Sequence, residues 1–92
     1  MSGPGESNVK YTVEIKKSAE REMDRLPEAI HRRLSERILA LENNPRPAGS
    51  QKLQAGEGYR IRVGDYRVLY TVNDQESRVL IYSVAHRREA YR

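Results

Sequence analysis

The stretch GYRIRVGDYRVLYTV, residues 58–72, alternates apolar and polar positions on either side of Gly64-Asp65. A period of two marks a strand with one buried face, and Gly-Asp between two such runs reads as a two-residue hairpin turn. A turn at that point pairs Val63 with Tyr66, Arg62 with Arg67, and Ile61 with Val68. Tyr59, Ile61, Val63, Tyr66, Val68 and Tyr70 then share one apolar face, and Arg60, Arg62 and Arg67 point to the other. Like charges directly opposite each other in a sheet are destabilising. The apolar face therefore predicts the fold, and the opposed arginines raise the question of function.

Working outward, KYTVEI (residues 10–15) places Tyr11, Val13 and Ile15 on one face of a first strand. Ser18 is the expected N-cap of a helix in which Ala19, Met23 and Leu26 recur at helical spacing. Pro27 ends that helix or opens the next. Ile30, Leu34, Ile38 and Leu41 form the apolar stripe of a second helix, which Asn43-Asn44-Pro45 stops. The segment NPRPAGSQKLQAGEG (residues 44–58) reads as a long loop, and such loops are often functional. After the hairpin and the turn NDQES comes a last strand, RVLIYSV (residues 78–84), and the chain closes on AHRREAYR. The expectation is an α+β domain over residues 10–92 in the order β-α-α-β-β-β. A small antiparallel-rich sheet of about four strands carries a two-helix hairpin on one face. Residues 1–9 read as a frayed terminus.

Ninety-two residues support one modest core. All the aromatic residues are Tyr, so that core is built from Leu, Ile, Val and tyrosine rings. Without cysteine, disulfides and thiolate metal sites are excluded. The apolar runs are too short for a membrane helix, and the polar start lacks a signal peptide's apolar region. The expected location is cytoplasmic. The net charge is +4, and thirteen of the seventeen basic residues are Arg. From Gly58 onward seven Arg face only Asp65, Asp74, Glu76 and Glu89, with no Lys. Arginine suits planar, bidentate contact with phosphate or carboxylate, and a small basic chain reads as a binder of nucleic acid or of an acidic protein. Two readings of Arg60, Arg62 and Arg67 stand side by side. They form surface ion pairs with Asp65, Glu57 or Glu89, worth ~0–1 kcal/mol each, or a polyanion crosses the open face and offsets their repulsion.

The tail adds His86, a proton carrier near neutral pH, the basic Arg87 and Arg88, and Tyr91. Beside clustered guanidiniums a neutral imidazole is favoured, which suits a base more than an acid. His31, on the polar part of helix two, has no evident role. Two histidines without Cys or an acidic cluster make no zinc motif, and no phosphate-cradling glycine loop, nucleophile elbow or carboxylate pair is present. A metal-free, cofactor-free set of Arg, Tyr and His fits phosphodiester cleavage by the 2′-hydroxyl of RNA. Cations there stabilise the charge on phosphorus, and DNA is excluded because it lacks the hydroxyl.

On YTVEIKKSAEREMDRLP, NPRPAGSQKL, YRIRVGDYRVLYTVND and VAHRREAYR the chain resembles the RelE/ParE superfamily of toxins from toxin–antitoxin modules, over residues 10–92. The resemblance implies the RelE-like fold and, for the RelE branch, a ribosome-dependent endoribonuclease that cleaves mRNA in the 30S A site and halts translation. It also implies a RelB-like antitoxin as partner. Carried over by position, the basic active-site pair falls on Arg60 and Arg62, the next arginine on Arg67, the following one on Arg87, and the C-terminal tyrosine on Tyr91. Lys52 and Arg88 complete the expected phosphate-binding set. The chain departs from the family pattern in three respects. The first pair is Arg-Arg rather than Lys-Lys, the tail is shorter, and His86 stands where Lys is common. Arginine cannot act as a base near neutral pH, so His86 or Tyr91 is the expected base. The alternatives are a ParE-type inhibitor of DNA gyrase and an RNA- or ribosome-binding protein without catalysis.

Overall fold

The computed structural model describes residues 10–54 and 58–86. The chain runs β1 (Thr12–Ile15), α1 (Lys17–Asp24), α2 (Glu28–Leu39), β2 (Gln51–Lys52), β3 (Tyr59–Val63), β4 (Tyr66–Asn73) and β5 (Arg78–His86). A 3-10 turn, Ala40–Glu42, extends α2. Five strands form one sheet in the order β1-β5-β4-β3-β2. Neighbours are antiparallel except β1, which lies parallel to β5. The expected sheet of about four strands gains β2, a two-residue strand inside the segment read as loop. Two residues are too short to show any periodicity.

The hairpin has the register its sequence predicts: Val63 faces Tyr66, Arg62 faces Arg67, and Ile61 faces Val68. Gly64 sits at φ 61, and Asp65 is not among the positive-φ residues. That combination is a type II′ turn, whose twist matches the flanking strands. A second glycine matters at the start of β3. Gly58 has φ 125, and a Cβ there would lie 2.8 Å from the Tyr70 carbonyl oxygen, so the chain enters the hairpin where no side chain fits.

Helix α1 starts one residue before the expected cap. Lys16 is the N-cap, extended and without a side-chain cap bond, and Ser18 lies in the first turn. The reason is local. The Lys16 N–H still donates to the Ile81 carbonyl at 2.8 Å, while the Lys16 carbonyl already accepts from the Glu20 N–H at 2.9 Å. The strand thus passes directly into the helix. Pro27 opens α2, its carbonyl accepting from the Ile30 and His31 N–H groups.

Of the predicted stripe, Leu34, Ile38 and Leu41 are at most 1% exposed and Ile30 is half-buried at its start, while Ala19 and Met23 of α1 are buried beside them. They pack on Ile61, Val68, Tyr70, Val79 and Ile81, so both helices cover the same sheet face. Leu39, one position off the stripe, is 56% exposed.

One irregularity in β5 decides which way its end faces. Tyr70 pairs with Ile81, but Leu69 pairs with Ser83, leaving Tyr82 as an extra residue. An inserted residue flips every later side chain to the other face. Val79 and Ile81 point into the core before the bulge, and Val84 does so after it. His86 follows the phase of Val84.

Candidate functional site

On the sheet face opposite the helices, Arg60, Arg62 and Arg67 line one cleft of about 200 Å³ with Gly49 and Gln51. The three arginines expected to share a face do share one. They are not equivalent, however. Arg62 is exposed and Arg60 half-buried, whereas Arg67 is only 3% exposed. The expectation that Arg67 stands on an open surface is therefore corrected. It lies on the central strand β4, flanked by β3 and β5, and forms the floor of the cleft while Arg62 forms its rim.

Arg60 is held by its cross-strand partner. Gln51 of β2 pairs with Arg60 of β3, and its Oε1 accepts from both Nε (3.1 Å) and Nη2 of the guanidinium. Among the described residues no carboxylate lies within ion-pair distance of Arg60 or Arg62, Asp65 included. Glu57 and Glu89, the other acids considered for them, lie outside the described residues.

The loop that brings Gly49 and Gln51 to the cleft is fastened by side chains. Arg46 donates bidentately to Asp74, Nη1 to Oδ1 at 3.2 Å and Nη2 to Oδ2 at 2.8 Å. It also donates from Nε to the Tyr59 hydroxyl at 3.0 Å and lies against that ring, 5.1 Å from its centroid. The Tyr11 hydroxyl donates to Asp74 Oδ1 at 2.7 Å. Hydrogen bonds from Arg46 and then Tyr11 hold the Asp74 carboxyl below its usual range, and the same bond to Asp74 pushes the Tyr11 phenol up. Buried Tyr70 donates to the Pro45 carbonyl at 2.8 Å, and burial raises its phenol. The loop read as functional is thus tied to β3, β4 and the β4–β5 turn. Arg46 and Gln51 went unnoticed in the sequence because their partners are distant or unpatterned. The only sequence signal was the length of the loop itself.

His86 does not join the cleft. It pairs with Tyr66 on the helix-covered side, their rings 5.3 Å apart and near-perpendicular (84°). There it lines a separate pocket with Glu22, Arg25, Leu26, Tyr66 and Val84. The expectation of His86 as a base beside the clustered guanidiniums is corrected by the Tyr82 bulge, which turns it to the opposite face. Lys52 pairs with Tyr59, so its Cβ leaves the sheet on the side away from Arg60. At the sheet edge its side chain still borders a groove with Gln51, Leu53, Gln54 and Arg60. Arg87, Arg88 and Tyr91 lie outside the described residues. Among those described, no group of three or more His, Cys, Asp or Glu is placed to hold a metal, and no helix is long and apolar enough to cross a membrane.

The family model for the ParE toxin of type II toxin–antitoxin systems, parDE, matches residues 9–91. Toxin RelE of Mycobacterium tuberculosis is 39% identical over 84 residues, covering 89% of this chain and 87% of that protein. Putative toxin RelE1 of Methanocaldococcus jannaschii is 30% identical over 88 residues, covering 91% and 98%. Among solved structures, the archaeal RelE–RelB complex from Pyrococcus horikoshii matches at TM-score 0.74 and 32% identity, over 85% of this chain and 96% of that one. The RelBE2 toxin–antitoxin complex of M. tuberculosis matches at 0.76 and 30%, over 85% and 92%. A shared fold, sequence identity across nearly the whole chain and the matching family model converge on one assignment: the chain belongs to the RelE/ParE superfamily of type II toxin–antitoxin toxins, and within it is a toxin of the RelE type.

Proposed function

We propose that this toxin is a metal-independent endoribonuclease that cleaves mRNA in the ribosomal A site and thereby stops translation. The observation that carries the reading is the set of three guanidiniums around one cleft on a sheet face that the helices leave open. Opposed arginines are costly in a free protein and become favourable when a phosphate sits between them. In the proposed reaction the RNA 2′-hydroxyl attacks the adjacent phosphorus. The bond to the 5′-oxygen breaks, leaving a 2′,3′-cyclic phosphate and a free 5′-hydroxyl. Arg60 and Arg62 donate to the non-bridging oxygens from the rim, and Arg67 supplies fixed positive charge from the floor, where water screens it least. Arginine holds charge but does not exchange protons at neutral pH. With His86 on the other face, proton transfer falls to the tail: Tyr91, as its phenolate, takes the 2′-hydroxyl proton, and Arg87 stabilises the departing 5′-oxygen, which gains its proton from water. So sparse a site suits a substrate that the ribosome itself positions.

The solved relatives from P. horikoshii and M. tuberculosis are complexes of RelE-type toxins with antitoxins. By analogy this toxin takes a RelB-like antitoxin whose acidic segment covers the arginine face, and it acts in the cytoplasm, where ribosomes are. The family model's description supports a second reading, a gyrase-directed inhibitor of the ParE type. Induced expression followed by mapping of 5′ ends on a translated message separates the two. Codon-phased cuts confined to translated regions support the nuclease. Gyrase-linked DNA breaks with intact messages overturn it in favour of the second reading.

A further inference from the structure

We propose that Gln51 is a positioning residue for the arginine cleft. It fixes the Arg60 guanidinium so that its remaining N–H groups are presented to a phosphate. As a matter of substrate recognition this rests on the RNA-cleaving reading above, but the contact itself stands on geometry. Gln51 and Arg60 are directly paired on neighbouring strands, so their side chains leave the sheet on the same side. Arginine has donors and no acceptor, so it is the amide oxygen of Gln51 that must face it. That oxygen receives both Nε–H and an Nη2–H, a chelate that sets the plane of the guanidinium. Among the described residues, no other partner takes the two N–H groups of Nη1 or the second of Nη2, which leaves them to bind.

The choice of an amide is chemically informative. A glutamate at position 51 would hold the same plane but cancel the charge that an anion needs. A neutral acceptor orients Arg60 and leaves it fully cationic. Gln51 is in turn fixed from both sides. Upstream, Pro45 is bound by Tyr70, Arg46 by Asp74, and the Ser50 N–H by the Pro47 carbonyl. Downstream, the Leu53 N–H donates to the Gly58 carbonyl at 3.0 Å. A residue of an edge strand only two residues long thus acquires the rigidity of the sheet, and a pre-set guanidinium loses less freedom when it meets its ligand.

The test combines motion, binding and turnover on the intact protein. Nitrogen-15 relaxation of the Arg60 and Arg62 Nε–Hε groups is measured in wild type, Gln51→Ala and Gln51→Glu, each also titrated with inorganic phosphate. Gln51→Ala is expected to mobilise Arg60 Nε and not Arg62 Nε, and to weaken phosphate binding severalfold. Gln51→Glu is expected to keep Arg60 rigid yet weaken phosphate at least as much. In single-turnover cleavage on programmed ribosomes, Gln51→Ala should lower the rate by about tenfold. In an Arg60→Ala background the same change should have almost no further effect, because both act through one group. An Arg60 Nε equally ordered with and without Gln51, or additive effects in the cycle, overturns the proposal. Absence of cleavage by wild type would instead overturn the nuclease reading and leave the relaxation data to decide the role of Gln51.

Discussion

Arg62 and Arg67 are paired directly across the β3–β4 hairpin, yet one is exposed and the other is 3% exposed. A cross-strand pair of like charge thus divides into a rim and a floor. Their substitutions should separate accordingly. Arg62→Ala is expected to change stability by no more than ~0.5 kcal/mol, as surface changes do, while Arg67→Ala destabilises by about 1–3 kcal/mol through the space and contacts it loses. Arg67→Lys should restore only part of the function, since it keeps the charge and loses the planar fork. Urea titrations beside single-turnover cleavage check this. Equal stability of the two alanine variants would mean that Arg67 is not the floor of the cleft.

The two faces of the sheet make a second comparison. Because the Tyr82 bulge turns His86 toward Tyr66, His86→Gln should leave cleavage on programmed ribosomes within about twofold. Removal of a group that stabilises transition-state charge, as in Arg62→Ala, typically costs ~10²–10³ in rate. A loss of that size in His86→Gln would bring His86 back into the chemistry.

The Asp74 clamp should show itself in the pH dependence of folding. Its carboxyl is depressed in the folded state by the hydrogen bonds from Arg46 and Tyr11. The stabilisation is therefore present above the unfolded carboxylate value of about 3.9 and is lost as pH falls through the lower folded value. Tyr11 has the opposite sign. Its raised phenol stabilises below the unfolded tyrosine value of about 10 and ceases to do so as pH rises through the folded one. The stability difference between wild type and Asp74→Asn should form a plateau between these limits and shrink at both ends. Denaturant melts across pH would show it, and a difference that grows on acidification would contradict the clamp.

In the core, Ile38→Ala should cost ~2–5 kcal/mol, because Ile38 is 1% exposed and sits between α2 and the sheet. Its neighbour Leu39 is 56% exposed, and Leu39→Ala should stay within ~0.5 kcal/mol. Chemical denaturation of both variants tests the helix register, and similar losses at the two positions would refute it.

What the chain carries locally was legible in its sequence. The hairpin register follows from strict alternation about Gly64-Asp65, and the second helix from Ile30, Leu34, Ile38 and Leu41, because each pattern is set by the period of the element that displays it. The co-location of Arg60, Arg62 and Arg67 follows from the same alternation. What depends on partners far along the chain was not legible. The parallel placement of β1 beside β5, the two-residue β2 and the bonding of Arg46 to Asp74 have no periodic signature. The burial of Arg67 depends on its central strand, not on its own residue type. His86 is the sharpest case. Alternation continued from Val79 and Ile81 assigns it to the arginine face, and one extra residue at Tyr82 reverses that assignment. A bulge is a property of two strands pairing, so no inspection of β5 alone reveals it. Sequence determined which side chains are available for chemistry, and tertiary pairing decided which of them share a face.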